Sequence, residues 1–357
     1  MIRTLFIVLI FITAISCRKD EKIETINPTN YDLNLPGIIE QYLPPMEIPL
    51  DNPLTEEGVE LGRKLFYDTK LSADNTQSCS SCHSPENSFT DIQQYSTGID
   101  GIEGNRNSMP IVNIGWMDKL FWDGRSTSIE EQAFIPVVDP IEMHNTWSYA
   151  VQTLQTDPLY PALFLQAFGK DAIDSVLVSK AISQFERTLI SGNSPFDKYL
   201  RSEPTGMTEQ QELEAYQGFA LFMDESKGDC FHCHGDAYNP LWTDNLFHNN
   251  GLDAVITDKG LGAVTGNPID DGKFKTPTLR NLTFTAPYMH DGRFSSLTDV
   301  VNHYSSGLQN SPTIDPLMKS ADQGGVLLTP TERSLLVKFL MSLSDSTFIT
   351  NPDFQAP

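Results

Sequence analysis

The chain has 357 residues, 39% hydrophobic and 20% charged, enough apolar content for a packed core and a length that suits about two domains. Its 47 acidic residues against 24 basic ones leave a formal charge of -23. Nucleic acid needs a basic footprint and is excluded as a partner, whereas a small basic protein suits the charge.

The N-terminus has Arg3, an apolar run from Leu5 to Ile15, and the small residues Ala14 and Ser16 before Cys17. The run is shorter than the roughly 20 residues a bilayer span needs, so it reads as an export signal. Cysteine directly after "AIS" resembles a bacterial lipoprotein signal, with residues 1–17 as the signal and Cys17 lipidated as the first mature residue. Ordinary cleavage beside an incidental Cys17 is the alternative. Residues 18–45 are polar and proline-rich and read as a tether. The expected location is the periplasm or cell envelope, with the membrane touched only through the lipid.

Val59, Leu61, Leu65 and Phe66 are spaced as on a helix running into "LGRKLFYD" (61–68). That helix leads to "CSSCH", with Cys79, Cys82 and His83, and then "FTD" (89–91). "SVLVSKAISQFERTLIS" (175–191) has helical periodicity, and "SGNSPFDKYLRSEPTGMT" (191–208) has the turn residues of an inter-domain connection. Tyr216, Phe219 and Phe222 then repeat the helical spacing running into "QGFALFMD" (217–224). This second helix leads to "CFHCH", with Cys230, Cys233 and His234, and then "WTD" (242–244). "TPTERSLLVKFLMSL" (329–343) opens with a helix-start signal and continues amphipathically. Strand signals are sparse.

Two Cys-x-x-Cys-His motifs in a chain with five cysteines and seven histidines are far above the chance level of about 0.001. In a c-type haem site two thiols add to the haem vinyl groups, and the next histidine is held beneath the iron. Zinc would want four convergent ligands, and no second close pair accompanies either motif. A dithiol or disulfide would leave both trailing histidines idle. Haem attachment also closes the odd cysteine count, with Cys17 as the anchor. The Gly, Leu-Phe and Asp recurring before each motif indicate one haem domain duplicated. The expected fold is all-α, two tandem cytochrome c-type haem domains with long loops, over 46–200 and 205–345.

The ordered stretches "LGRKLFYDTKLS", "SCSSCH", "GNRNSMPIVN", "FWDGRSTSIEEQAFIPVVDPIEM", "CFHCH", "KTPTLRNLTFTAPYMHDG" and "SLTDVVNHY" resemble the bacterial dihaem cytochrome c peroxidases and their MauG-type relatives over about residues 45–345. The resemblance implies a peroxide-reacting first haem and an electron-transferring second haem. It places Glu142 of "DPIEM" as the distal acid, with Gln132 and Pro136 in the same pocket and Trp122 of "FWDGR" between the haems. A carboxylate suits that place because splitting peroxide needs a proton moved between its oxygens. It also implies calcium, held by Asn107 and the carbonyls of Thr285 and Pro287, with Asn113 as an alternative to Asn107.

The chain departs from the commoner peroxidases in two places. Ile99 stands where they carry a histidine that ligates the first iron at rest, which implies an open first haem without an activation step. His144 is a substitute ligand to weigh. Their second-haem methionine falls on Tyr304, fourteen residues after His290, as in MauG-type proteins. His303 and Met289 are the alternative ligands. The surface tryptophan of MauG falls on Gly228, which speaks against action on the same protein partner.

The expected activity is reduction of hydrogen peroxide with electrons from a small cytochrome or cupredoxin. A MauG-like oxidase and a non-enzymatic dihaem electron carrier are the alternatives. A homodimer is a further expectation.

Overall fold

The computed structural model describes residues 27–357. Cys17 and the export signal lie outside the described residues. In the first half the helices are α1 (Gly37–Tyr42), α2 (Glu56–Tyr67), α3 (Ile129–Val138), α4 (Trp147–Thr156), α5 (Tyr160–Phe168) and α6 (Ser175–Arg187). In the second half they are α7 (Pro195–Leu200), α8 (Glu209–Phe222), α9 (Phe231–His234), α10 (Leu261–Thr265), α11 (Leu297–Ser306), α12 (Pro330–Ser342) and α13 (Ser346–Ile349). Among the described residues the only sheet pairs β1 (Phe247–His248) antiparallel with β2 (Phe274–Lys275). The all-α expectation holds.

Each half is built on one crossed helix pair, α2 against α6 and α8 against α12. The repeated glycine explains both crossings. A Cβ on Gly62 would lie 1.8 Å from the Ala181 carbonyl oxygen, and one on Gly218 would lie 2.1 Å from that of Leu335. Phe185 and Phe339 stand one turn further on and fill the two cores. Phe66, Phe89 and Phe185 cluster edge to face in the first core, and Phe222, Trp242 and Phe339 do so in the second. Overpacking of this kind costs about 1–3 kcal/mol. Gly62→Ala is therefore expected to lower the unfolding free energy by about that much, read from chemical denaturation. An unchanged midpoint would mean that the helices are not pressed together there.

The duplication extends beyond the helix pairs at a constant offset of 168 residues. Asn113 and Asn281, Phe121 and Met289, and Gly124 and Gly292 are all at positive φ. Ser128 and Ser296 cap α3 and α11. The bridges Leu120–Ser126 and Tyr288–Phe294 correspond. In this register Trp122 matches His290, Asn107 matches Lys275, Val112 matches Arg280, and Pro136 matches Tyr304.

Three boundaries differ from the sequence reading. The stretch expected as a tether up to residue 45 is packed from Thr29 onward. Thr29 binds the Glu57 carboxylate, Tyr31 pairs with Leu54, and Ile38 and Ile39 are buried. The helix expected over 175–191 ends at Arg187, because Asn113 brackets Ser191 through two hydrogen bonds of 2.8 and 2.9 Å and turns the chain. The halves divide before Phe196 rather than at 200–205, since Phe196 belongs to the second core. Phe348 and Phe354 return to the first core.

Candidate functional site

Each Cys-x-x-Cys-His motif lies on a short helical turn after the first long helix of its half. The Cys79, Cys82, Cys230 and Cys233 thiols are free. The sharp turn at each aromatic of the repeated "FTD" and "WTD" has a chemical consequence. Phe89 and Trp242 are buried at φ 59° and 53°. Their carbonyls accept the Nδ1–H of His83 at 2.8 Å and of His234 at 3.3 Å. Burial pushes the His83 pKa down and brings that of His234 to about 4. Both imidazoles are thus neutral, with Nδ1 occupied and the Nε2 lone pair available, as a haem iron ligand requires.

His83 and Cys82 line a cavity of about 470 Å³ that also receives Gln132, Pro136, Glu142 and Trp122. Burial pushes the Glu142 carboxyl up to about 7; Asp139 adds to this and Arg125 opposes it. Pro136 has no ligand atom at the position where the second half has Tyr304. Ile99 donates its backbone N–H to the Glu142 carbonyl at 3.0 Å, and Gly98 lies against the Ile141 carbonyl. The loop therefore fixes the segment carrying the acid. His144 is paired with Asp100 at the surface, outside the cavity wall, so the substitute-ligand idea does not hold.

A second cavity, about 140 Å³, is lined by His234, Tyr304, Met289, His290 and Asn250 among others. Burial pushes the Tyr304 phenol up to about 12, opposed by a hydrogen bond from Asn250. Trp122, Asn107 and Lys275 belong to both cavity walls. The halves meet there through reciprocal bonds: Asn107 N–H to the His290 carbonyl at 2.8 Å, and Lys275 N–H to the Trp122 carbonyl at 2.9 Å. Trp122 Nε1–H donates to the Asn107 carbonyl at 2.8 Å. Arg106 clamps the seam, bound to Asp123 at 2.6 Å and to Asp258 at 2.7 Å.

Thr285, Pro287 and Asn107 also line the second cavity. Asn107 Nδ2 donates to the Gln93 and Gln94 carbonyls, whereas both polar atoms of the Asn113 amide are bound to Ser191. Of the two asparagines, Asn107 is the one beside the two carbonyl residues.

Sequence reasoning missed Lys275, Arg106 and Asn250 in these walls and used His290 only as the landmark from which Tyr304 is counted. The repeat of "FWDGR" in "MHDGR" carried the signal for His290.

Known proteins resemble this chain in sequence and fold. The sequence model of the family described as di-haem cytochrome c peroxidase matches residues 56–205. The methylamine utilization protein MauG of Methylophilus methylotrophus is 34% identical over 317 residues, covering 88% of this chain and 91% of its own. The chain belongs to the di-haem cytochrome c peroxidase and MauG family. Cytochrome c551 peroxidase of Pseudomonas aeruginosa is 34% identical over 301 residues, covering 82% of this chain and 80% of its own. The crystal structure of a MauG-like protein associated with microbial copper homeostasis superposes with a TM-score of 0.79 at 35% identity, covering 92% of this chain and 99% of that one. The family is one of oxidoreductases with two c-type haems. The donor set fits that cofactor: each half offers two thiols and a neutral histidine with its Nδ1 held. No helix among the described residues is long and apolar enough to cross a membrane.

Proposed function

We propose that the chain is a dihaem c-type peroxidase that reduces hydrogen peroxide to two waters, using two protons and two electrons from a small cytochrome or cupredoxin. The observation that carries this reading is Glu142, a half-buried carboxyl whose pKa is pushed up to about 7, in the same cavity as His83. Cys79, Cys82 and His83 would hold the first haem, and Cys230, Cys233, His234 and Tyr304 the second. The haems supply the redox chemistry. Glu142 takes a proton from one peroxide oxygen and returns it to the other, and a group with this pKa exchanges protons in both directions near neutrality. Gln132 offers an amide to the same cavity, and the Pro136 side chain offers it no ligand atom. Trp122, in both cavity walls, supports electron passage between the sites. Asn107 with the Thr285 and Pro287 carbonyls offers the oxygen ligands of a calcium ion near the seam. We place the protein in the periplasm or cell envelope, anchored by lipid at Cys17.

A MauG-like oxidase is the second reading, and Tyr304 in the second cavity favours it. Gly228 weighs against action on the same protein partner. Its Cβ would lie 2.4 Å from the Leu221 carbonyl oxygen, so a tryptophan has no room there. A plain electron carrier needs both irons six-coordinate, and neither Ile99 nor Pro136 supplies a ligand.

The test mixes the oxidised two-haem protein with peroxide and a reduced small c-type cytochrome. Peroxide-dependent cytochrome oxidation without prior reduction is expected, together with one high-spin haem at rest. Two low-spin haems and no turnover would leave the carrier; peroxide consumption without cytochrome oxidation would favour the oxidase.

A further inference from the structure

Asn250 touches all three groups that the sequence offers as the second haem's ligand. Its Nδ2 donates to the Tyr304 hydroxyl at 3.1 Å and approaches Met289 Sδ at 3.6 Å. Its backbone carbonyl accepts from His303 Nε2 at 3.3 Å. An Nε2 that donates to a carbonyl has no lone pair for iron, and His303 does not line the cavity. Met289 also lines the cavity and is the competitor, but its Sδ is the weaker acceptor of the Asn250 N–H and lies farther from it. The Tyr304 hydroxyl lies in the cavity wall with His234, and an oxygen that accepts one hydrogen bond retains a second lone pair.

The backbone holds Asn250 in this place. Asn249 Nδ2 binds Ser311 Oγ and Thr313 Oγ1, both at 3.0 Å. Asn249 Oδ1 accepts from Gly251 N–H at 3.1 Å, and the Gly251 carbonyl accepts from Gln309 N–H at 2.8 Å. Bonds on both sides therefore fix the residue between them.

We propose that Asn250 is a positioning residue that selects Tyr304, over Met289 and His303, as a ligand of the second haem and moderates the electron donation of its oxygen. This rests on the reading of Tyr304 as that ligand. A hydrogen bond to a ligand oxygen withdraws electron density from it, so the bond raises the haem's potential, and its loss favours the oxidised iron.

The test measures absorption spectra and the second haem's reduction potential in holoprotein carrying two haems. Asn250→Leu keeps the approximate volume and removes the donor; Asn250→Ala removes it without adding a charge. The expected result is a fall in potential equivalent to about a tenfold shift in the oxidised-to-reduced ratio, about 59 mV for one electron. In a Tyr304→Phe background the same changes are expected to have no further effect. If Tyr304→Phe leaves the second haem's spectrum unchanged, the ligand reading fails and this proposal with it. If Tyr304→Phe alters that spectrum but both Asn250 variants match wild type, only the positioning role is overturned. An equal Asn250 effect with and without Tyr304 also overturns it. Should the leucine variant lose haem, the alanine variant decides.

Discussion

Glu142→Gln is expected to slow the reaction with hydrogen peroxide by roughly 100- to 10,000-fold while both haems stay attached, the range seen when a positioned acid–base group is lost. Glutamine fits the same space and hydrogen-bonds, but it cannot carry the proton between the two oxygens. The pH profile adds a signature. The carboxyl pKa is raised to about 7, chiefly by burial, so the proton-accepting form disappears as pH falls through about 7. The wild-type rate is expected to fall in that window, and the residual rate of the variant to stay flat. Loss of fold is separable from loss of chemistry. A carboxyl whose folded pKa lies above its unfolded value stabilises the fold least at high pH, once ionised in place. Glutamine removes that cost, so the variant is expected to melt no lower than wild type at pH 8. A variant as fast as wild type would take Glu142 out of the mechanism, and the peroxidase reading would lose the observation that carries it.

Elements with a local chemical signature were legible in the sequence. Cys-x-x-Cys-His needs no tertiary context, and the helix pairs announce themselves through periodicity and a shared Gly and Leu-Phe. Gly62 and Gly218 were visible as a repeat, but their reason, a carbonyl within van der Waals contact, exists only in three dimensions. The same holds for Phe89 and Trp242. The sequence shows a repeated aromatic, and the fold shows that its backbone turn aims a carbonyl at each histidine. The second part of the duplication was harder to read because its matches sit at single positions such as Asn113 and Asn281, separated by substitutions. Asn250 was not legible, since an asparagine after a two-residue strand looks like any turn residue. The tether was misread because composition alone cannot show that Ile38 and Ile39 find a surface to bury against.

Breaking the ion pair between Arg280 and Asp197 is expected to have the largest effect on stability. Both side chains are fully buried, and the guanidinium grips the carboxylate through two bonds of 2.8 and 3.0 Å. Burial pushes the Asp197 carboxyl up, but Arg280 overrides it and holds the group below its usual range. Arg280→Met leaves Asp197 buried without a counter-charge and is expected to cost about 3–5 kcal/mol at pH 7. The sign of the pH dependence checks the cause. In wild type the depressed carboxyl contributes stability above its unfolded pKa and loses it as pH falls through the folded value. In the variant the same group is pushed up instead, so the stability gap to wild type is expected to shrink on acidification. The duplicate position shows that the pair is one solution among others, since the first half places the apolar Val112 where the second has Arg280, equally buried. Arg280→Met with Asp197→Leu is therefore expected to recover most of the loss. It still forgoes the hydrogen bonds that Asp197 accepts from the Ser194 backbone and hydroxyl at the start of α7, worth about 1 kcal/mol. A double variant no more stable than the single one would mean that Arg280 acts through its packing and its bond to the Pro240 carbonyl, not through the charge of Asp197.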